Sequence, residues 1–193
     1  MPVTPRERLA RVLDGSPVPG AFSVQLSVPA RDVRLTVAGA GPISFPVKAP
    51  QAKRMITSAR PARFGLGEQT LLDLGVRDTW EITPDQVTLT GLDWDMILAE
   101  VRDELGLPTR ARLRAEPHAL LVYGKVQFFL SNQVSEKDDT MIGTLVVSLP
   151  SSHTGGLLVI EHNGKTVAYQ ASAYKVSVAA FYADCRHDAR RSC

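Results

Sequence analysis

Apolar residues fall at two different periods along this chain, and the change of period divides it. Near the start, Leu9, Val12 and Leu13 sit at helical spacing within Pro5–Leu13, and "GSPVPG" from Gly15 to Gly20 ends that pattern, so a short leading helix is expected. From Phe22 the order Phe22, Val24, Leu26, Val28 alternates with small or polar residues, and Val33, Leu35, Val37 repeat it after "PARD". Period-2 alternation on both sides of a turn predicts two strands. "KAPQAKRMITSA" returns to helical spacing, with Ala52, Met55, Ile56 and Ala59 on one side. "LDWDMILAEVRDELG" does so more strongly: Trp94, Ile97, Leu98, Val101 and Leu105 form one stripe, Asp93 is placed to cap it and Gly106 to stop it.

Beyond that helix the strand period dominates, in "ALLVYGKVQFFL", "MIGTLVVSL", "GGLLVIEHNGKTVAYQ" and "KVSVAAFYAD". Asn163-Gly164 lies between two apolar runs, the short-range signal of a two-residue hairpin turn that needs positive φ. The pattern therefore predicts one structural domain in two spans: N-terminal strands and bracing helices over 1–118, and a hairpin-rich β region over 119–193. The glycines of "RFGLGEQT" read as turn residues. They lack the strand, lysine and serine context of a phosphate-binding loop.

Composition narrows the partners. With 22 basic and 20 acidic residues the net charge is only +2, and the basic groups are scattered, which speaks against nucleic acid. No run approaches the roughly 20 apolar residues of a membrane helix, and "MPVTPRERLARVLDG" carries charges where a signal peptide needs an apolar core. A cytoplasmic location is expected. The two cysteines, Cys185 and Cys193, do not make a disulfide framework for 193 residues, so reduced thiols are expected.

Several ordered blocks, "LLVYGKVQFF", "SEK", "GTLVVSLPSSHTGGLLVIEHNGK" and "AAFYADCRHD", resemble the iron(II)- and 2-oxoglutarate-dependent dioxygenases related to prolyl 4-hydroxylase. The resemblance runs from about Ala119 to Asp188. It implies a double-stranded β-helix, or jelly roll, mainly β with flanking helices, and small-molecule, peptide or protein substrates. In that family a His-x-Asp pair on one strand and a second His on a later strand hold iron, leaving open positions for 2-oxoglutarate and dioxygen. Carried onto this chain, the pattern puts Asn132 at the first His, Val134 at the Asp and His187 at the second His. Two of the three ligands are replaced: an amide oxygen is a weak neutral donor, and an isopropyl group donates nothing. Past His187 only "DARRSC" stands where the family continues into a strand with an Arg or Lys for the distal carboxylate of 2-oxoglutarate. The expected jelly roll is thus incomplete, with an unpaired strand edge open to self-association.

The resemblance supports three readings: a dioxygenase-like pseudoenzyme, an active hydroxylase with a non-standard iron site, or a metal-free jelly roll that holds a small molecule. Glu136 could supply an oxygen in place of Val134, on the same face of the strand but roughly 7 Å along it, a poor position for replacing the ligand. Tyr123 reads either as a core-edge aromatic or, by the resemblance, as a residue facing the co-substrate. His118, His153 and His162 flank turns, where exposed histidine is ordinary, and Cys185, His187 and Cys193 are a weak zinc pattern near the chain end.

Overall fold

A computed structural model of the chain describes residues 21–62, 64–66, 69–71, 77–124, 128–133, 141–152 and 156–190. The leading helix expected over Pro5–Leu13, together with Val134, Glu136, His153 and Cys193, lies outside these residues. In chain order the elements are strands β1 (Ser23–Pro29), β2 (Arg34–Val37) and β3 (Gly41–Ile43), the helix Ala49–Thr57, and strands β4 (Arg60–Pro61), β5 (Phe64–Leu66), β6 (Gln69–Leu71), β7 (Arg77–Asp78), β8 (Trp80–Ile82) and β9 (Val87–Thr90). The helix Trp94–Glu104 follows, then β10 (Leu120–Val122), β11 (Phe128–Gln133), β12 (Gly143–Ser148), β13 (Leu157–His162), β14 (Lys165–Gln170), β15 (Lys175–Tyr182) and β16 (Arg186–Arg190).

The described residues are mainly β, arranged in small antiparallel sheets of which none is closed. Two of them matter for the site. A three-stranded sheet has the order β1-β15-β12, and a five-stranded sheet has the order β14-β13-β16-β11-β7. Within them β11 pairs with β16, β12 with β15 and β13 with β14, each antiparallel. These pairs are nested, and the chain changes sheet between β11 and β12, between β12 and β13, between β14 and β15, and again between β15 and β16. The sheet β10-β8-β4 and the sheet β3-β2-β9 lie to the side, around a core of Leu35, Val37, Ile43, Met55, Ile82 and Val122.

β15 explains how the two main layers hold together. Its residues from Val176 to Phe181 are all buried, so "VSVAAF" reads almost continuously apolar because both of its faces are covered. Val176, Val178 and Ala180 meet Ile97, Val101 and Leu105 of the helix side, together with Val24 and Leu26 of β1. That helix begins as its sequence requires: Asp93 accepts a hydrogen bond from the Met96 backbone N–H at 3.0 Å, satisfying one of the donors a helix start leaves open. It ends at Gly106, whose φ of +71° suits glycine. The Tyr182 hydroxyl then donates to the Leu105 carbonyl at 2.8 Å, tying the helix end to the sheet.

Phe181, on the other face of β15, packs against Ile160 of β13 and Cys185. The two sheets are further joined where the Ser23 and Tyr169 hydroxyls lie 2.9 Å apart, and where the Gln25 side-chain amide donates to the Gln170 carbonyl at 3.1 Å. The hairpin between β13 and β14 turns at Asn163 (φ +47°) and Gly164 (φ +74°), as their sequence signal requires. The block "ALLVYGKVQFFL" is divided: β10 pairs with β8 in one sheet, and β11 pairs with β16 and β7 in another. No helix of the described residues is long and apolar enough to cross a membrane.

Candidate functional site

β11 and β16 are neighbours in the five-stranded sheet, and their register sets Asn132 directly opposite His187, with Gln133 opposite Arg186. The register is irregular between Phe129 and Asn132. On its other side β16 pairs with β13, which sets Ile160 opposite His187. Positions directly opposite one another on antiparallel strands share a sheet face. Ile160 is fully buried and belongs to the cluster with Phe181. The His187 ring is half-buried, with its centroid 5.0 Å from that of Phe181 and the planes tilted by 46°. His187 therefore faces the space between the two main sheets. From the opposite sheet, Thr144 of β12 is in register with Phe181, and its hydroxyl is buried without a hydrogen-bond partner among the described residues.

Of the site residues expected from the sequence, the structure thus brings Asn132 and His187 into register. Val134 lies outside the described residues. Tyr123 follows the last residue of β10, which belongs to the sheet with β8 and β4, and it is 39% exposed. It does not share a sheet with β11 or β16.

A second group of polar side chains lies at one end of the sandwich, where the β13–β14 turn adjoins the turn between β15 and β16. There a nitrogen of His162, a carboxylate oxygen of Asp184 and the sulfur of Cys185 lie within 4.8 Å of one another. His162 Nδ1 is 3.7 Å from Asp184 Oδ2, its Nε2 is 2.9 Å from the Asn163 side-chain amide nitrogen, and its ring lies 5.5 Å from that of Phe22. His162 is accordingly half-buried, not the exposed turn histidine its sequence position suggested. The Cys185 thiol is fully buried and donates weakly to the Phe22 carbonyl at 3.8 Å. Burial, followed by the adjacent Asp184 carboxylate, pushes its pKa from the usual 9.0 to about 11, against a smaller lowering by a backbone hydrogen bond from Tyr182. A shallow depression beside the group is lined by Glu161, His162, Asn163, Asp184 and Arg186.

Sequence reasoning missed Asp184 and assigned His162 no role. Each lies at a recognisable turn, but only the pairing of β13 with β16 brings the two turns together, and no local pattern encodes that pairing. Compared with known proteins, the chain matches no family model and no curated protein.

Proposed function

We propose that this chain is a dioxygenase-like pseudoenzyme: a jelly roll of the prolyl 4-hydroxylase-like, iron(II)- and 2-oxoglutarate-dependent type that lacks a working metal site. One observation carries the reading. The nested pairs β11·β16, β12·β15 and β13·β14 alternate between two facing sheets and set Asn132 opposite His187. A jelly roll is such an antiparallel ribbon folded over into two sheets, and the resemblance assigns former ligand positions to these same two strands.

The donor set does not fit iron. A facial iron site needs two imidazoles and a carboxylate on one side of the metal, and the corresponding positions here hold an amide at Asn132, an isopropyl group at Val134 and a single imidazole at His187. One strong donor leaves a divalent ion mostly in water, and 2-oxoglutarate, which would chelate that ion, loses its anchor with it.

Isothermal titration with iron(II) or manganese(II), alongside succinate release from 2-oxoglutarate, tests this reading. Binding at positions 132–187 no tighter than that of a single histidine, with succinate formation at background, is expected. A stoichiometric site that His187→Ala abolishes, or 2-oxoglutarate-dependent succinate release, returns the chain to the active hydroxylases. A second reading, a metal-free small-molecule pocket between the sheets, is favoured by the buried Thr144 hydroxyl, which has no partner among the described residues, since such a group costs about 1–3 kcal/mol unless something pairs with it. Thermal stabilisation by 2-oxoglutarate or another dicarboxylate in the presence of a chelator, lost in Thr144→Val, would select it.

A further inference from the structure

We propose that His162, Asp184 and Cys185 form a binding site for a divalent cation of the zinc(II) class, separate from positions 132 and 187. The three side chains offer nitrogen, oxygen and sulfur donors converging within 4.8 Å from two adjacent turns. With zinc–nitrogen and zinc–oxygen bonds of about 2.0–2.2 Å and zinc–sulfur bonds of about 2.3 Å, tetrahedral donors stand roughly 3.3–3.6 Å apart. His162 Nδ1 and Asp184 Oδ2 are already 3.7 Å apart. Asp184 Oδ1 also lies 4.0 Å from the Cys185 sulfur, and the Asp184 side chain is 63% exposed, so it stands between the other two donors with room to adjust.

The surroundings agree with a metal ligand set. Asn163 holds the far nitrogen of the His162 ring at 2.9 Å, and Phe22 lies against its face, so the ring is oriented before any ion arrives. Metal-ligating histidines characteristically donate their second N–H to an oxygen, which the Asn163 amide supplies once it is turned over. With the ion on Nδ1, Nε2 carries the proton, and the Asn163 amide turns its oxygen toward it. The depression beside the three donors is lined by two carboxylates, Glu161 and Asp184, against one guanidinium, Arg186, so its charge balance favours a cation. Three protein donors leave a fourth position open toward that depression. A thiol and an imidazole select zinc, cobalt or copper over magnesium or calcium, which prefer oxygen donors throughout.

Cobalt(II) alone is the probe, because a thiolate ligand gives cobalt a near-ultraviolet charge-transfer band that nitrogen and oxygen ligands do not. Titration of the full chain should develop that band at one equivalent, and zinc(II) should displace it. Cys185→Ser should abolish the band, His162→Asn and Asp184→Asn should each weaken cobalt affinity by at least ~10-fold, and His187→Ala and Cys193→Ser should leave it intact. His162→Asn and Asp184→Asn keep the buried sulfur and decide the matter if Cys185→Ser does not fold. No band in the wild type, a band that survives Cys185→Ser, or unchanged affinity in both the His162 and Asp184 variants overturns the proposal. A band lost in His187→Ala also overturns it, because His187 would then share the metal with a cysteine thiolate in place of the proposed set.

Discussion

Replacing Ile160 with alanine tests the stacking of the two sheets on which the candidate site depends. Ile160 is fully buried, lies opposite His187, and packs against Phe181 and Cys185. The change removes three carbons, worth about 0.8 kcal/mol each in transfer free energy, or about 2.4 kcal/mol. The cavity left between two sheets that cannot fully collapse brings the total to about 3–4 kcal/mol. For a chain of this size that corresponds to a fall in Tm of about 6–16 °C. Its neighbour Glu161 is exposed on the opposite face, and Glu161→Ala should cost less than about 0.5 kcal/mol. Urea denaturation of both variants, followed by circular dichroism, gives the midpoints and shows whether the slope is unchanged. Because side chains alternate along a strand, a slip of one residue in register would exchange the two costs. A Glu161→Ala variant as destabilised as Ile160→Ala, or a cost below about 1 kcal/mol for Ile160→Ala, would refute the packing of β13 against β15.

Restoring donors should restore metal affinity: Asn132→His with Val134→Asp should bind manganese(II) at least ~100-fold more tightly than the wild type by calorimetry, and His187→Ala in that background should remove the gain. Asp93→Ala should destabilise the chain by about 1 kcal/mol in urea melts, because the Met96 N–H loses its cap. Cys185 should make stability fall with rising pH: its thiol pKa is raised in the folded chain, so the unfolded chain loses the proton first. The contribution is complete below about pH 9 and is lost as pH climbs toward about 11, a fall that should be smaller in melts of Cys185→Ala, where only the Tyr182 phenol, also raised by burial, still contributes. Tyr169→Phe should cost about 1 kcal/mol through loss of the 2.9 Å contact with Ser23, and Ser23→Ala should add little once that contact is gone, as a double-mutant cycle would show.

Local pattern revealed the elements that carry their own signals. The helix Trp94–Glu104 was readable from its stripe, its Asp93 cap and its Gly106 stop, and the hairpin was readable from Asn163-Gly164. β15 was readable because burial on both faces makes its residues apolar in succession. The strands β3, β4, β7 and β8 were not, since two or three residues are too few to show a period. Pairing was not legible either. Nothing within β1 names β15 as its partner, and nothing in "LLVYGKVQFF" announces that its halves join different sheets. For the site, the resemblance supplied positions 132 and 187, whereas the His162, Asp184 and Cys185 group depends on a strand neighbourhood that becomes visible only in three dimensions.

The place of β15 at the centre of its sheet has a consequence for how the chain is made. β1 is synthesised early, yet its partner in the register Leu26↔Val178 lies roughly 150 residues later, and the Tyr182 hydroxyl that ties down the helix end at Leu105 arrives 77 residues after it. Until β15 emerges from the ribosome, β1 and β12 have no shared neighbour, and the apolar stripe of Ile97 and Val101 lacks the cover of Val176, Val178 and Ala180. Contacts this distant in sequence make folding slow, because the loop-closure cost comes before the contacts that offset it. Between the emergence of the helix and that of β15 the nascent chain therefore carries a partly uncovered helix face, joined once β12 is made by two open strand edges, the condition under which holding chaperones bind and growing chains aggregate.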